Sequence, residues 1–234
     1  LIDEEGSTVS RLKNIFNHHL NANYFGKVFE KNKKSAIFIY KNYLKSLCNL
    51  LKIIGVNTNT IPVLDVLRKN TSKIIGSRSF SHNKEIVKTL GDITVRECQK
   101  HKIISVIKHI PGHGCATQDS HIFLPKVNLS EKNLNLIDFF PFKSNSAKLA
   151  MTAHILFSKI DNKNVSTFSK KIINQIIRKK IGFKGILMSD DISMKALKYD
   201  LVTNAKKALE AGCNLVLYCE GKIKDNLRLI RSVP

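Results

Sequence analysis

Short apolar runs recur along the chain, and each stops in residues that can carry a charge or a proton. They are Leu1-Ile2 before "DEEGS", "IGVNTNTIPVLDV" from Gly55 to Val66, "IISVIKH" from Ile103 to His109, "KLAMTAH" from Lys148 to His154, "GILMSDD" from Gly185 to Asp191, and "NLVLYCE" from Asn214 to Glu220. Between several of them the apolar spacing becomes helical. "FSKKIINQIIRKKIG" puts Ile172, Ile173, Ile176 and Ile177 on one face and stops at Gly182, and "LVTNAKKALEAG" does the same with Ala205, Ala208 and Leu209 and stops at Gly212. Strand, loop and helix in repetition predict a parallel sheet with helices outside it.

The ends of those runs carry the chemistry. Asp3, Asp65, Lys108-His109, His154 and Asp190 each lie at the C-terminal end of a run. In a parallel barrel all such ends open onto one face, where active sites are built from the loops that follow the strands. The predicted fold is therefore an α/β barrel of the (β/α)8 TIM type. A doubly wound open sheet is the alternative, and it lacks support from any GxGxxG or GxxxxGK[ST] phosphate turn. With no internal repeat and no low-complexity linker, residues 1–234 read as a single catalytic domain.

Composition narrows the function classes. A 43% apolar content in 234 residues suits an ordinary globular core, and no apolar run approaches the roughly 20 residues needed to cross a bilayer. Thirty-nine basic against eighteen acidic residues give +21, which raises a nucleic-acid-binding protein as an alternative. The lysines are scattered, however, with tight groups only at Lys31–Lys34 and Arg178–Lys180, and aromatics do not alternate with them as on a base-stacking surface. Compositional drift toward Lys, Asn and Ile is the reading preferred here, with no nucleic-acid or membrane partner. Cys48, Cys98, Cys115, Cys213 and Cys219 are odd in number and show no CxxC spacing, which points to free thiols in a reducing compartment.

The densest chemistry lies in "KHIPGHGCATQDSH", Lys108 to His121, which holds three of the eight histidines. Pro111, Gly112 and Gly114 break regular structure and allow tight, movable backbone. His121 follows Asp119 by two positions, so both side chains point the same way in an extended segment. A carboxylate beside an imidazole fixes its tautomer and raises its pKa, which makes a proton shuttle. "SDD" at Ser189–Asp191 ends a strand, so at least one of its carboxylates faces the same mouth, where it can serve as a nucleophile or a metal ligand. A metal-dependent barrel hydrolase using His109, His113, His121, His154 and Asp190 is the competing reading. Against it stand the absence of HxH and HExxH and the position of Lys108, whose charge would repel a cation.

Three blocks, "KHIPGHGCATQDSH", "MTAHILFSKID" and "IRKKIGFKGILMSDDISMKAL", together resemble the family-3 glycoside hydrolases, and among them the single-domain bacterial β-N-acetylglucosaminidases of the NagZ type. "LIDEEGSTVSRL", "IPVLDV" and "GSRSF" extend the likeness, in order, over nearly the whole chain. The resemblance implies a barrel enzyme that releases terminal β-linked N-acetylglucosamine with retention, through a covalent glycosyl-enzyme. It implies Asp190 as nucleophile, His121 as general acid and then base, and Asp119 as the partner of His121. Asp3, Arg11, Arg78, Lys108 and His109 match residues that grip the sugar, and their charged donors and acceptors suit paired hydroxyls. His113 and His154 would shape the site. The departure is Gly6-Ser7-Thr8, where the family carries Gly-Gly-Arg.

The same resemblance implies no cofactor and no metal, and a muropeptide fragment carrying N-acetylglucosamine on anhydro-muramic acid as the small carbohydrate substrate. It implies a monomer in the bacterial cytoplasm. Family members have a strand and helix before Asp3 and a stretch after the last strand, so a chain opening on Leu1 is expected to be truncated at both ends.

Overall fold

The computed structural model describes residues 1–118 and 123–233. Strands run in chain order as Thr58–Asn59 (β1), Ile104–Ile110 (β2), Lys126–Val127 (β3), Leu149–Thr152 (β4), Leu156–Phe157 (β5), Ile186–Asp191 (β6) and Leu215–Leu217 (β7). Five of them form one parallel sheet in the order β1-β2-β4-β6-β7, while β3 and β5 make a small parallel pair. Ile2 pairs in parallel with Asn59 beyond β1, which brings the N-terminal segment into the same array. The sheet curls into a partial barrel among the described residues, the α/β architecture the sequence predicts.

Each expected run from Ile103 onward becomes a strand. Val106, Ile107 and Ile110 of β2, Ala150 of β4 and Leu187 of β6 are buried, as in a parallel sheet covered on both faces. The run from Gly55 to Val66 differs, forming only the two-residue β1 and one further parallel bridge, Val63 with Lys108. Pro62 interrupts it, and proline has no N–H to offer a ladder.

Helices cover the sheet at Ala22–Lys31 (α1), Lys33–Ile53 (α2), Lys84–Lys100 (α3), Glu131–Leu136 (α4), Leu201–Ala211 (α5) and Ile223–Ser232 (α6). A π-helix spans Ile172–Ile181 and buries Ile172, Ile173, Ile176, Ile177 and Ile181, the face expected from its spacing. It stops at Gly182 (φ +81°), and α5 stops at Gly212 (φ +119°), both in the left-handed region that favours glycine. The longest helix, α2, buries Ala36, Tyr40, Leu44, Leu47, Cys48 and Leu51, and Tyr40 donates to or accepts from Thr94 of α3 at 2.7 Å. No helix of the described residues is long and apolar enough to cross a membrane.

Candidate active site

Because the large sheet is parallel, the C-terminal ends of its strands share one side, and Asp3, Lys108-His109 and Asp190-Asp191 project from it. They line a single cleft of about 210 Å³ together with Glu5, Arg11, Arg78, His113, Met151, Met194 and Cys219. Asp3, Arg11, Arg78, Lys108, His109 and Asp190, scattered over nearly two hundred positions, are thus brought together. Asp119 and His121 lie outside the described residues.

The first wall is a turn. Glu5 N–H donates to Val9 O at 2.8 Å, and Gly6 adopts φ +114°, so Gly6-Ser7-Thr8 closes a tight reversal. Glu4, buried beneath it, accepts from the backbone N–H groups of Arg11 (2.8 Å) and Leu12 (3.0 Å) and from the Ser10 hydroxyl (3.0 Å). These bonds fix the backbone from which Arg11 reaches Asp3 at 3.6 Å.

The cleft floor is an ionic cluster. Lys108 Nζ donates to Thr60 Oγ1 at 2.7 Å, to Glu5 Oε1 at 2.6 Å and to Asp3 Oδ1 at 3.2 Å. Arg78 grips Glu5 through two bonds, Nε to Oε2 at 2.7 Å and Nη2 to Oε1 at 2.9 Å. Burial opposes ionisation of Asp3, yet Lys108, the Thr60 hydroxyl and Arg11 overcome it and hold the carboxyl at about 2. Glu5 is likewise held below the usual range, against burial, by Lys108 and Arg78. Among the described residues the lining carries four carboxylates (Asp3, Glu5, Asp190, Asp191) and three cations (Arg11, Arg78, Lys108), so their charges nearly balance within a chain of +21.

The second wall holds the histidines. Lys108 and His109 are joined by a cis peptide, and both line the cleft. The fully buried Asp65 accepts from His109 Nδ1–H at 2.7 Å and from the backbone N–H groups of His109 (3.3 Å) and His113 (2.6 Å). Burial alone would raise the Asp65 carboxyl, but His109 and these bonds bring it down, so it remains an acceptor and orients the His109 ring. The glycines of "IPGHG" are packed tightly. A Cβ on Gly114 would stand 1.8 Å from Val66 O, and close approach to that carbonyl, more than freedom to swing, is what requires glycine here.

Asp190 lies one residue before the end of β6. Its Oδ1 accepts from Asp191 N–H at 2.8 Å. Burial works against its charge, and His109, that N–H and Lys108 outweigh burial to keep it ionised below the usual carboxylate range. His154 is buried, which pushes its pKa down, and its contacts suit the neutral ring. Nε2–H donates to Asp191 O at 3.0 Å, and Nδ1 accepts from the Thr167 hydroxyl at 2.7 Å. It therefore braces the backbone behind the "SDD" carboxylates. Among the described residues no group of three His, Cys, Asp or Glu side chains gathers to hold a metal ion.

Residues 3–233 match the family described as the glycosyl hydrolase family 3 N-terminal domain. The chain belongs to glycoside hydrolase family 3. It is 32% identical over 239 residues to a beta-hexosaminidase of Neisseria meningitidis serogroup A, covering 97% of this chain and 66% of that protein. It is 31% identical to a beta-hexosaminidase of Nitrosomonas eutropha, covering 93% of this chain and 64% of that one, so it spans just under two thirds of such relatives. Among solved structures, a family-3 beta-N-acetylglucosaminidase from Paenibacillus superposes with a TM-score of 0.90 at 28% identity, over 99% of this chain and 44% of that one. NagZ from Neisseria gonorrhoeae, in complex with N-trifluoroacetyl-D-glucosamine, superposes with a TM-score of 0.88 at 30% identity, over 98% and 67%.

In this family-3 cleft, sequence reasoning assigned no role to Glu5, Thr60 or Asp65. Asp65 stood at a run's end and so carried a signal. Glu5 and Thr60 carried none, because their partner Lys108 lies far away in sequence. The buried histidines also have a measurable consequence. Burial pushes His113 to about 4, with Asp65 only partly opposing it, while an exposed histidine titrates near 6.5. Between those values the unfolded chain binds the proton and the folded one does not, so stability is complete above about pH 6.5 and falls as the pH drops toward 4. Urea denaturation at pH 7.5, 6 and 4.5 should show a loss of roughly 2–4 kcal/mol from His113, with His154 adding in the same direction. The loss should shrink in His113→Asn; an unchanged pH slope in that variant would contradict the assignment.

Proposed function

We propose that residues 1–234 form the catalytic barrel domain of a retaining β-N-acetylglucosaminidase. The observation that carries this reading is Asp190, kept ionised at a strand end inside a cleft lined by five other residues of the sugar-gripping type. Relatives named beta-hexosaminidase and a similar structure holding an N-acylated glucosamine support the same substrate class. Asp190 attacks C1 of the sugar as the C1–oxygen bond to the leaving group breaks, and His121 gives its proton to that oxygen. His121 then takes a proton from water as the water attacks C1, and Asp190 is released. Asp119 orients His121 and sustains its basicity. Asp3, Arg11, Arg78, Lys108 and His109 hold the hydroxyls and the acetamido group.

The aglycone in this reading is a cell-wall fragment, with N-acetylglucosamine β-linked to anhydro-muramic acid. The enzyme acts as a monomer, without cofactor, in the bacterial cytoplasm, a location that its five free cysteines support. A chromogenic β-N-acetylglucosaminide followed by proton NMR tests the reaction. The β-anomer of N-acetylglucosamine should form first; the α-anomer first would exclude the covalent route, and no release would exclude the activity.

A further inference from the structure

We propose that Glu5 is the positioning residue of the sugar site, locking Lys108 and Arg78 into one rigid two-cation clamp without itself touching the sugar. The proposal rests on the reading that those two cations hold the substrate. Its basis is a count of donors. An ammonium has three N–H groups, set tetrahedrally, and a lysine stem lets them rotate freely. Glu5 and Thr60 take two of those on Lys108, at 2.6 and 2.7 Å, from the buried side. The direction of the third is then fixed, and it points to Asp3, the most exposed of the three acceptors and the one on which Arg11 also closes.

Arg78 is held by the same carboxylate. Its Nε and Nη2 meet Glu5, and Nη1 donates to Ile74 O at 3.0 Å. A guanidinium has five N–H groups in one plane, so the two that lack a partner among the described residues have fixed directions too. The Glu5 carboxylate, 6% exposed, lies between Lys108 at 3% and Arg78 at 9%, and no other carboxylate bridges this pair among the described residues. A bridging anion between two buried cations relieves their mutual repulsion as well as aiming them. Glutamine in its place can accept from one of them and turns an N–H₂ toward the other.

The test is Glu5→Gln in the full chain, read by KM and kcat on a chromogenic β-N-acetylglucosaminide and by calorimetric binding of N-acetylglucosamine. KM and Kd should rise about 10–100-fold, the scale of a lost charged hydrogen bond, with kcat falling much less. Adding Glu5→Gln to Lys108→Met should raise KM far less than adding it to the wild type, because the clamp is already broken. Glu5→Asp keeps the charge one methylene short and should recover part of the affinity; it also serves if the glutamine variant does not fold. Unchanged KM and Kd in a folded Glu5→Gln or Glu5→Asp chain, or effects that simply multiply with Lys108→Met, would overturn the proposal. Wild type and Asp190→Ala run alongside separate the two failures. Turnover lost in Asp190→Ala with affinity unmoved in Glu5→Gln sinks only the clamp, whereas a wild type that neither binds nor turns over the sugar sinks the underlying reading and the clamp with it.

Discussion

Asp190→Ala is expected to lower kcat on a chromogenic β-N-acetylglucosaminide by on the order of 10⁴–10⁶-fold, the scale on which loss of a nucleophile or its base costs other covalent enzymes. The cause is local. Asp190 lies one residue before the end of β6 with its Oδ1 on the Asp191 N–H, and His109, that N–H and Lys108 keep its charge against burial. Among the described residues of the lining no other carboxylate is free for its task. Asp3 and Glu5 are engaged by Lys108, and Asp191 is taken up by Ser193, through its N–H at 3.0 Å and its hydroxyl at 2.7 Å. Binding of N-acetylglucosamine should survive the substitution. Azide, small enough to enter the space left by the carboxylate, should attack C1 from that side and give the α-glycosyl azide. Activity within about tenfold of wild type would remove Asp190 from the reaction.

The second large effect separates the two halves of the reaction. His121→Ala removes proton delivery, commonly worth about 10²–10⁴-fold, so its cost should follow the leaving group's need for a proton. A nitrophenolate departs unaided. Glycosylation should then be nearly normal, deglycosylation should stall, and mass spectrometry should find the sugar on Asp190. Azide should rescue this variant too, but as the β-glycosyl azide, since it attacks the glycosyl-enzyme from the face opposite Asp190. With a sugar as leaving group the first step itself should fail. Equal losses on good and poor leaving groups, with no adduct, would exclude His121 as the acid and base.

What could be read from the sequence was what alternation and strand ends impose. The cores of β2, β4, β6 and β7 and the stops at Gly182 and Gly212 follow from local spacing, and one parallel topology then carries Lys108, His109 and Asp190 to a common mouth. Helix α2 was less legible because "AIFIY" is a β-branched and aromatic stretch that reads locally as a strand. Its helical period emerges only when Ala36, Tyr40, Leu44, Cys48 and Leu51 are taken together over the 21 residues of the helix. Glu5 and Asp65 were the hardest to place. Their roles are defined by partners 103 and 44 positions away, Lys108 and His109, and periodicity has no access to such pairings.

The near-balance of charge inside the cleft has a consequence for the solvent ions around the protein. A chain of +21 gathers a diffuse cloud of counter-anions. Among the described residues of the cleft, Asp3 and Glu5 meet Arg11, Arg78 and Lys108 as close ion pairs, while Asp190 and Asp191 are held by N–H and hydroxyl donors, so the lining leaves little net field to hold ions of its own. An uncharged sugar entering there displaces water and almost no counterions, so its binding gains nothing from the release of ions that drives polyanions onto basic surfaces. The protein thus keeps two electrostatic environments apart, an outer one governed by ionic strength and an inner one that behaves as a small neutral salt crystal, rich in strong donors and acceptors yet nearly indifferent to the electrolyte outside.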